Sequence, residues 1–282
     1  MTGFINIDKA EGVSSAKEVA LVKRLVGTPC GHLGTLDPMA SGVLPIAIGN
    51  SARLFDYFLN KRKTYVATFR FGEEYDTLDT TGTLLKDGGA IPKREMIEGI
   101  IPSLVGEVMQ VPPNYSAKCV NGKRGYQLAR QGVQFSLEPK KVNICSIALL
   151  NEVDERSFLF EIECGSGTYI RSIARDMAEA LGTYGAMSAL VRSASGPFTL
   201  KNSVKSQSLT ADNIGNFIIP TDSLLPFDSF YAEGKTAKRL LNGLSAECDL
   251  VDGIYKLYHG ERQFYGLAVV ENGLIKVRTK LC

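Results

Sequence analysis

Gly31-His32-Leu33-Gly34-Thr35-Leu36-Asp37-Pro38-Met39-Ala40-Ser41-Gly42 is the stretch on which the reading of this 282-residue chain turns. Its three glycines and one proline mark a loop. Pro38 fixes its own φ and biases Asp37 towards an extended conformation. Such a loop presents a carboxylate rigidly to a ligand, and it equally suits a turn in which Asp37 caps its own backbone. On its N-terminal side, Phe4 to Ile7 reads as a short apolar strand running into Asp8-Lys9. Ser15 and Glu18 have capping-box spacing and Gly27 can close a helix, so a helix is expected from Ala16 to Val26 with Val19, Val22 and Val26 inward. On its C-terminal side, Val43 to Ile48 reads as a buried strand, and Ser51 starts a helix that carries Leu54, Phe55, Phe58 and Leu59.

Farther along, Thr64 to Phe71 alternates, with Tyr65, Ala67, Phe69 and Phe71 on one face. Gly72 to Gly82 is polar and turn-rich, Pro92 opens a helix to Ile101, and Val111 to Tyr115 is extended. A short helix is expected from Arg124 to Arg130. Val142 to Val153 and Ser157 to Cys164 flank Asp154-Glu155-Arg156 as a hairpin. A turn at Gly165 to Thr168 leads into a helix from Tyr169 to Leu181, whose Ile170, Ile173, Ala174, Met177 and Leu181 keep the helical period. Beyond Pro220 the texture changes. A short helix from Lys235 to Leu241 and strands at Tyr255–Tyr258, Gln263–Val270 and Leu274–Val277 suggest a small barrel-like module.

With 44% hydrophobic and 22% charged residues the chain can bury a sizeable core. The 32 basic and 30 acidic residues leave a net charge of +2, so charge alone does not imply nucleic acid. The clusters Lys61-Arg62-Lys63, Lys123-Arg124 and Lys140-Lys141 read either as solvated faces or as phosphate contacts. Six scattered cysteines without a C-x-x-C pair, and only two histidines, argue against a structural zinc site and fit a reducing cytoplasm. Neither a signal peptide nor an apolar run long enough to span a membrane is read.

Two arginines, Arg171 and Arg175, share a helix face at i, i+4 spacing and need an anion near them. Asp37 or an RNA phosphate can supply it, and so can the local Asp176 or Glu179. With Trp absent, Tyr65 and Tyr169 are the candidates for stacking on a base.

The Gly-Thr-Leu-Asp-Pro-Met-Ala-Ser-Gly core closely resembles the signature loop of the bacterial TruB-type tRNA pseudouridine synthases. Asp8-Lys9-Ala10-Glu11-Gly12-Val13-Ser14-Ser15, Lys63-Thr64-Tyr65 and Asp76-Thr77-Leu78-Asp79 resemble further motifs of that family. So do Pro112-Pro113-Asn114-Tyr115-Ser116-Ala117 with Asn121-Gly122-Lys123-Arg124, Gly167-Thr168-Tyr169-Ile170-Arg171-Ser172, and Ser195-Gly196-Pro197-Phe198. The likeness spans about residues 3 to 225 in the family's order. It implies an α+β fold, with a mixed, largely antiparallel sheet flanked by helices, and a small C-terminal β-rich module of PUA type. The expected division is residues 1–225 for catalysis and 226–282 for RNA binding.

The resemblance also implies isomerisation of the T-loop uridine of tRNA, position 55. Asp37 is then the catalytic carboxylate, Tyr65 the stacking partner and a possible acceptor of the C5 proton, and Arg171 the partner of Asp37. Tyr169 and Leu190 line the pocket, and His32 fills space near the vacated base position. Lys9 supports the loop or the RNA, and Arg53, Lys123 and Arg124 complete the expected RNA contacts. The reaction oxidises nothing and imports no group, so neither cofactor nor metal is expected. The expected partner is the tRNA T-stem-loop, met in the cytoplasm by a monomer with no membrane association and no obligate protein partner. The alternative is a non-catalytic RNA-binding or tRNA-folding protein on the same fold. Five positions depart from the family pattern: Ala10 for Pro, Lys118-Cys119 for Leu-Lys, Arg53 for Lys and Val191 for a frequent Arg.

Overall fold

The computed structural model describes residues 1–281 apart from 60, 116–118, 121–122, 125–134 and 136. The expected helix from Arg124 to Arg130 lies outside the described residues except at Arg124, which sits in a two-residue strand. The chain opens with β1 (Gly3–Lys9), α1 (Ser15–Val26), β2 (Cys30–His32) and β3 (Ser41–Ile48). A 3-10 turn at Gly49–Leu54 leads into the short α2 (Phe55–Leu59), then β4 (Lys63–Phe71), β5 (Glu73–Tyr75) and β6 (Leu84–Asp87). Next come α3 (Arg94–Leu104), β7 (Gly106–Gln110), β8 (Cys119–Val120), β9 (Lys123–Arg124), β10 (Lys140–Asp154) and β11 (Ser157–Cys164). They are followed by α4 (Ile170–Ala180), β12 (Gly185–Ser195), β13 (Phe198–Thr199) and β14 (Val204–Lys205). The last stretch holds β15 (Ser229–Ala232), α5 (Gly234–Leu241), β16 (Ala246–Glu247), β17 (Gly253–His259), β18 (Gln263–Glu271) and β19 (Leu274–Lys280).

Ten strands form one mixed sheet along the path β14-β1-β3-β12-β4-β11-β10-β7, with β2 beside β3 and β13 beside β12. Only the β1–β14 and β3–β12 pairs are parallel; the others run antiparallel. This is the expected mixed, largely antiparallel α+β architecture. Alternate residues of a strand face opposite sides of a sheet. On one side Ile5, Ile7, Leu44, Ile46, Phe69 and Phe160 meet Val22 of α1, Ile97 of α3 and Ile173 and Met177 of α4. On the other side Phe4, Val43 and Ala47 meet Phe58, Phe198 and Leu225, together with Leu267 and Leu281 from the last part of the chain.

Five strands of that last part form a second sheet, ordered β15-β17-β18-β19-β16, whose own small core includes Leu240 of α5, Leu257, Val270 and Ile275. The second sheet is tied to the first by the shared apolar cluster, by Tyr258 donating to Asp222 at 2.8 Å, and by Arg53 donating to the Lys280 carbonyl at 2.7 Å.

Several elements differ from the sequence reading. The helix expected at Ser51 is a 3-10 turn followed by one short helix. The N-cap of α1 is Ser14, whose side chain accepts from the Lys17 amide, while Ser15 turns inward. α3 passes Ile101 and carries Pro102 inside its last turn. β12, which lies between β3 and β4, was not read as a strand because Gly185-Ala186-Met187-Ser188-Ala189 has small residues and little β-branching. Its centrality comes from tertiary pairing on both edges.

Gly42 shows how closely β12 approaches. It has φ +97° and faces Arg192 across the β3–β12 pair, and a Cβ there would collide with the Arg192 carbonyl oxygen. Gly42→Ala is therefore expected to lower the unfolding free energy by at least ~2 kcal/mol in urea melts. A change below ~0.5 kcal/mol, the size of an ordinary surface substitution, would contradict that close approach.

Candidate active site

The loop carrying Asp37 is anchored along its whole length. The Leu33 amide donates to the Pro45 carbonyl at 2.9 Å, and the Gly34 carbonyl accepts from Arg192 at 3.1 Å. Ser15 clamps Leu36 from α1: its hydroxyl donates to the Leu36 carbonyl and accepts from the Leu36 amide, both at 2.9 Å. The Ala40 amide closes a turn on the Asp37 carbonyl at 3.0 Å, and the Pro38 carbonyl accepts from the Gly12 amide at 2.8 Å. Lys9 lies beneath, fully buried, with its ammonium donating to the carbonyls of Val13 (2.6 Å), Ala10 (2.9 Å) and Pro38 (3.2 Å). Three donors meet three acceptors, so the Lys9 ammonium is spent on the carbonyls of the loop and its neighbours. Burial lowers its pKa, and Glu18 and Asp37 act in the opposite direction.

Above this frame stands Arg171, in the first turn of α4. Its side chain is 6% exposed, whereas that of Asp37 is 40% exposed. Arg171 Nη2 meets Asp37 Oδ2 at 2.9 Å and Nη1 meets Asp79 Oδ2 at 3.3 Å. The guanidinium also donates to the carbonyls of Thr77 (2.7 Å) and Tyr115 (3.0 Å). Asp79 is buried and accepts from the Thr77 and Thr81 hydroxyls and from the Thr81 amide. Arg175 takes the local alternative, meeting Asp176 at 2.6 Å and Glu179 at 3.9 Å. The i, i+4 pair thus divides: Arg171 serves the loop, while Arg175 pairs within its own helix and donates to the Val111 carbonyl at 3.0 Å. Burial raises the pKa of Asp176, against the pull of Arg175.

Asp37, Arg171, Thr35 and Leu36 form a wall between two cavities. The smaller, about 280 Å³, is lined by Tyr65, Tyr169, Leu190, Met187, Lys63 and Arg192, and by the Gly165–Thr168 turn. The larger, about 710 Å³, is lined by His32, Met39, Thr77, Asp79, Thr81 and Tyr115, and by Gly12 and Ser14 to Ala16. Tyr169 is set by the buried Gln110, whose amide group bonds both the amide (2.8 Å) and the carbonyl (3.2 Å) of Tyr169. Burial raises the Tyr65 phenol, partly offset by Arg192. Burial and Arg192 lower His32, whose buried Nδ1 has no hydrogen-bond partner among the described residues. The small cavity matches the lower end of ordinary ligand pockets and combines a carboxylate, cations and aromatic walls.

The TruB family pseudouridylate synthase N-terminal domain matches residues 23–170, and the tRNA pseudouridylate synthase B C-terminal domain matches residues 171–226. The first of these covers more than half of the chain. The chain belongs to the TruB family of pseudouridylate synthases. The chain is similar to the tRNA pseudouridine synthase B of Clostridium kluyveri, with 37% identity over 95% of this chain and 96% of the relative. A second relative of the same name, from Clostridium novyi, is 37% identical over the full length of both. Among solved structures, a chain of an H/ACA RNP bound to a substrate RNA containing 2′-deoxyuridine aligns with a TM-score of 0.71 at 20% identity, over 99% of this chain and 85% of that one. A Cbf5-Nop10-Gar1 complex contains a chain that aligns equally well, at 22% identity over the same shares. At such identity the likeness is one of fold. The two family segments meet at residue 170/171, yet β12 and β14 of the second share a sheet with the strands of the first.

Not every expected TruB-family site residue meets at the pocket. Asp37, Tyr65, Tyr169, Arg171 and Leu190 do, while His32 opens onto the larger cavity. Arg53 is exposed and occupied by the second sheet, and Lys123 and Arg124 are described only as the strand β9. Four residues were missed. Ser15 looked like a helix cap; Asp79 was part of a motif without an assigned role. Lys63 stood in a basic run that reads as a solvated face or a phosphate contact, and in the Lys63-Thr64-Tyr65 motif without an assigned role, yet it is buried on the Tyr65 side of β4. Arg192 follows a position noted only for lacking arginine, and it is 1% exposed.

Burial, with Arg192 adding to it, lowers the Lys63 ammonium to about 8 from an unperturbed 10.5. Below pH about 8 both folded and unfolded chains hold the proton, and the burial cost is carried in full. From about 8 to 10.5 only the unfolded chain holds it, so stability rises with pH through that window. Urea melts near pH 7.5 and 9.5 should show wild type gaining on Lys63→Met as pH rises; a pH-independent difference would contradict the assignment.

Proposed function

We propose that this chain isomerises a uridine of tRNA to pseudouridine, that its target is the T-loop uridine at position 55, and that Asp37 is the catalytic carboxylate. The observation that carries the reading is the Asp37 carboxylate, held by the buried Arg171 at the wall between a base-sized pocket and an open cavity. Membership of the TruB family, and relatives named tRNA pseudouridine synthase B, support the same reading.

A uridine stacked in a folded loop has to leave the stack before a side chain can reach its sugar. Flipping costs a few kcal/mol. Stacking against Tyr65, worth ~1–3 kcal/mol, offsets it, with Tyr169 and Leu190 closing the walls. Asp37 then lies beside the sugar of the flipped nucleotide, where it can attack C1′, add to C6 or take the 2′-proton. Since burial keeps the Tyr65 phenol protonated, Tyr65 serves in stacking more than in proton abstraction. The larger cavity receives the strand flanking the flipped nucleotide, with His32 near the place the base has left.

We propose that the chain acts as a monomer without an obligate protein partner. We assign residues 226–282 to RNA binding. There Tyr231 is 48% exposed, stacks on Tyr258 at 5.1 Å and carries Arg262 at 5.3 Å over its ring, a surface suited to an unpaired base. No helix among the described residues is long and apolar enough to cross a membrane. We place the reaction in the cytoplasm, with the tRNA.

Tritium release from [5-³H]uridine-labelled tRNA, with the modified position mapped, tests the proposal. Wild type should release tritium at the T-loop uridine, and Asp37→Asn should bind the same tRNA with at least a ~10⁴-fold lower rate, as when a nucleophilic group is removed. If both proteins bind and neither reacts, the chain is an RNA-binding protein on a synthase fold.

A further inference from the structure

Three cations line the smaller cavity against one carboxylate, Asp37. Arg171 is neutralised by Asp37 and Asp79. Lys63 and Arg192 are not: among the described residues no carboxylate lies within 4.0 Å of either. Both are buried, at 5% and 1% exposure. Lys63 Nζ donates to the carbonyls of Leu59 (2.8 Å) and Lys61 (3.4 Å), and Arg192 donates from Nε to Val43 (2.7 Å) and from Nη2 to Gly34 (3.1 Å). These neutral acceptors satisfy hydrogen-bond geometry and leave the charge uncompensated. The two side chains meet at Gly34, where Arg192 Nη1 and Lys63 Cε each lie 3.7 Å from the position of a Cβ. They rise from β12 and β4, whose register sets Arg192 opposite Tyr65 and Ser195 opposite Lys63, so both flank the Tyr65 wall.

Burying a charge without a counter-ion is costly, and a fold that keeps two such cations in one pocket gains from an anion there. The depth of the pair, behind Tyr65 and the Asp37 loop, suits a base more than a phosphate. We propose that Lys63 and Arg192 form an anion-binding floor for the uracil ring, which takes up the negative charge the base carries once its glycosidic bond has broken. The inference rests on the reading of this site as a uridine isomerase.

In that reaction C1′–N1 breaks with its electron pair leaving on the base, so the charge spreads over N1, O2 and O4. C1′ recovers a pair from the Asp37 carboxylate, or from the C2′–H bond, whose proton passes to Asp37 and is later returned. After the ring has turned, the C5=C6 pair forms C1′–C5 and N1 becomes doubly bonded to C6. The C5 proton then leaves to the freed carboxylate while N1 takes up a proton from water. Lys63 and Arg192 only donate hydrogen bonds, so they fit the acceptors O2 and O4 and disfavour the amino group of cytosine. A preorganised donor of this kind is worth about 10²–10³-fold in rate.

Single-turnover rates and tRNA Kd for wild type, Lys63→Arg and Lys63→Gln test the proposal. A glutamine at this position can still donate a hydrogen bond but carries no charge. The Gln variant should lose about 10²-fold in rate with Kd changed less than ~3-fold, and the Arg variant should retain most of the rate. The charged and titratable groups around Lys63 are Arg192 on β12 and Cys164 on β11, with Tyr65, Asp37 and Arg171 lining the same cavity. Burial raises Tyr65, and pushes Cys164 to about 11, so both stay protonated where Lys63 titrates. The ratio of the Arg variant to wild type, in which ionisation of the substrate cancels, should therefore climb as pH rises through about 8. A fully active Gln variant, or a pH-independent ratio, overturns the anion floor while leaving the isomerase reading intact. A wild type that modifies no uridine overturns both.

Discussion

One guanidinium between two carboxylates holds this site together. Arg171 is almost wholly buried, Asp79 is buried behind it, and Asp37 alone of the three projects toward solvent. Removing one partner of a buried ionic group typically costs 3–5 kcal/mol, because a desolvated charge is left behind. That penalty is what makes the arrangement directional. Asp79, with three hydrogen bonds from Thr77 and Thr81, fixes the guanidinium, and the guanidinium in turn fixes the carboxylate that is free to meet a ligand. A reacting group misplaced by an ångström can lose about 10²-fold in rate. The surrounding contacts have that scale of consequence.

The same need explains why so many polar groups are spent on one loop. Ser15 from α1, Lys9 from β1 and Arg192 from β12 reach the loop from three different elements. Each satisfies backbone groups that regular structure would otherwise pair, so these groups keep partners while the loop stays irregular. Gly42 lets β12 come close enough for Arg192 to do this. The anchoring arginine and Lys63 then give the pocket a charge that its own acids do not cancel. Stability, loop placement and affinity for a negative ring are set by the same side chains.

How much of this was legible in the sequence depends on the range of the interaction. The Asp37 loop, the alternation that sets Tyr65 inward on β4, and the helix beginning after Tyr169 are local patterns, and they read correctly. The division of labour between Arg171 and Arg175 was open because both anion sources fit the spacing, and each arginine took a different one. β12 was missed because its small residues carry no strand preference; pairing on both edges makes it a strand. Lys63, Arg192 and Ser15 were missed for a related reason. Each is polar, and nothing local says that a polar residue will be buried: Arg192 and Ser15 turn to carbonyl groups distant in the chain, and Lys63 folds back on the carbonyls of Leu59 and Lys61. Arg53 stands where the family often has Lys and was expected at the RNA; its guanidinium donates to the Lys280 carbonyl of the second sheet.

The most direct test of the central interaction is the rate of pseudouridine formation, at single turnover, by Arg171→Lys. Lysine keeps the charge but loses the planar fork, so it can hold Asp37 or Asp79 but not both in place. The expected rate is at least ~10²-fold below wild type, with tRNA affinity and far-UV spectrum little changed. A lysine variant as fast as wild type would show that a single positive charge suffices and that the bridge between the two carboxylates is not what positions Asp37.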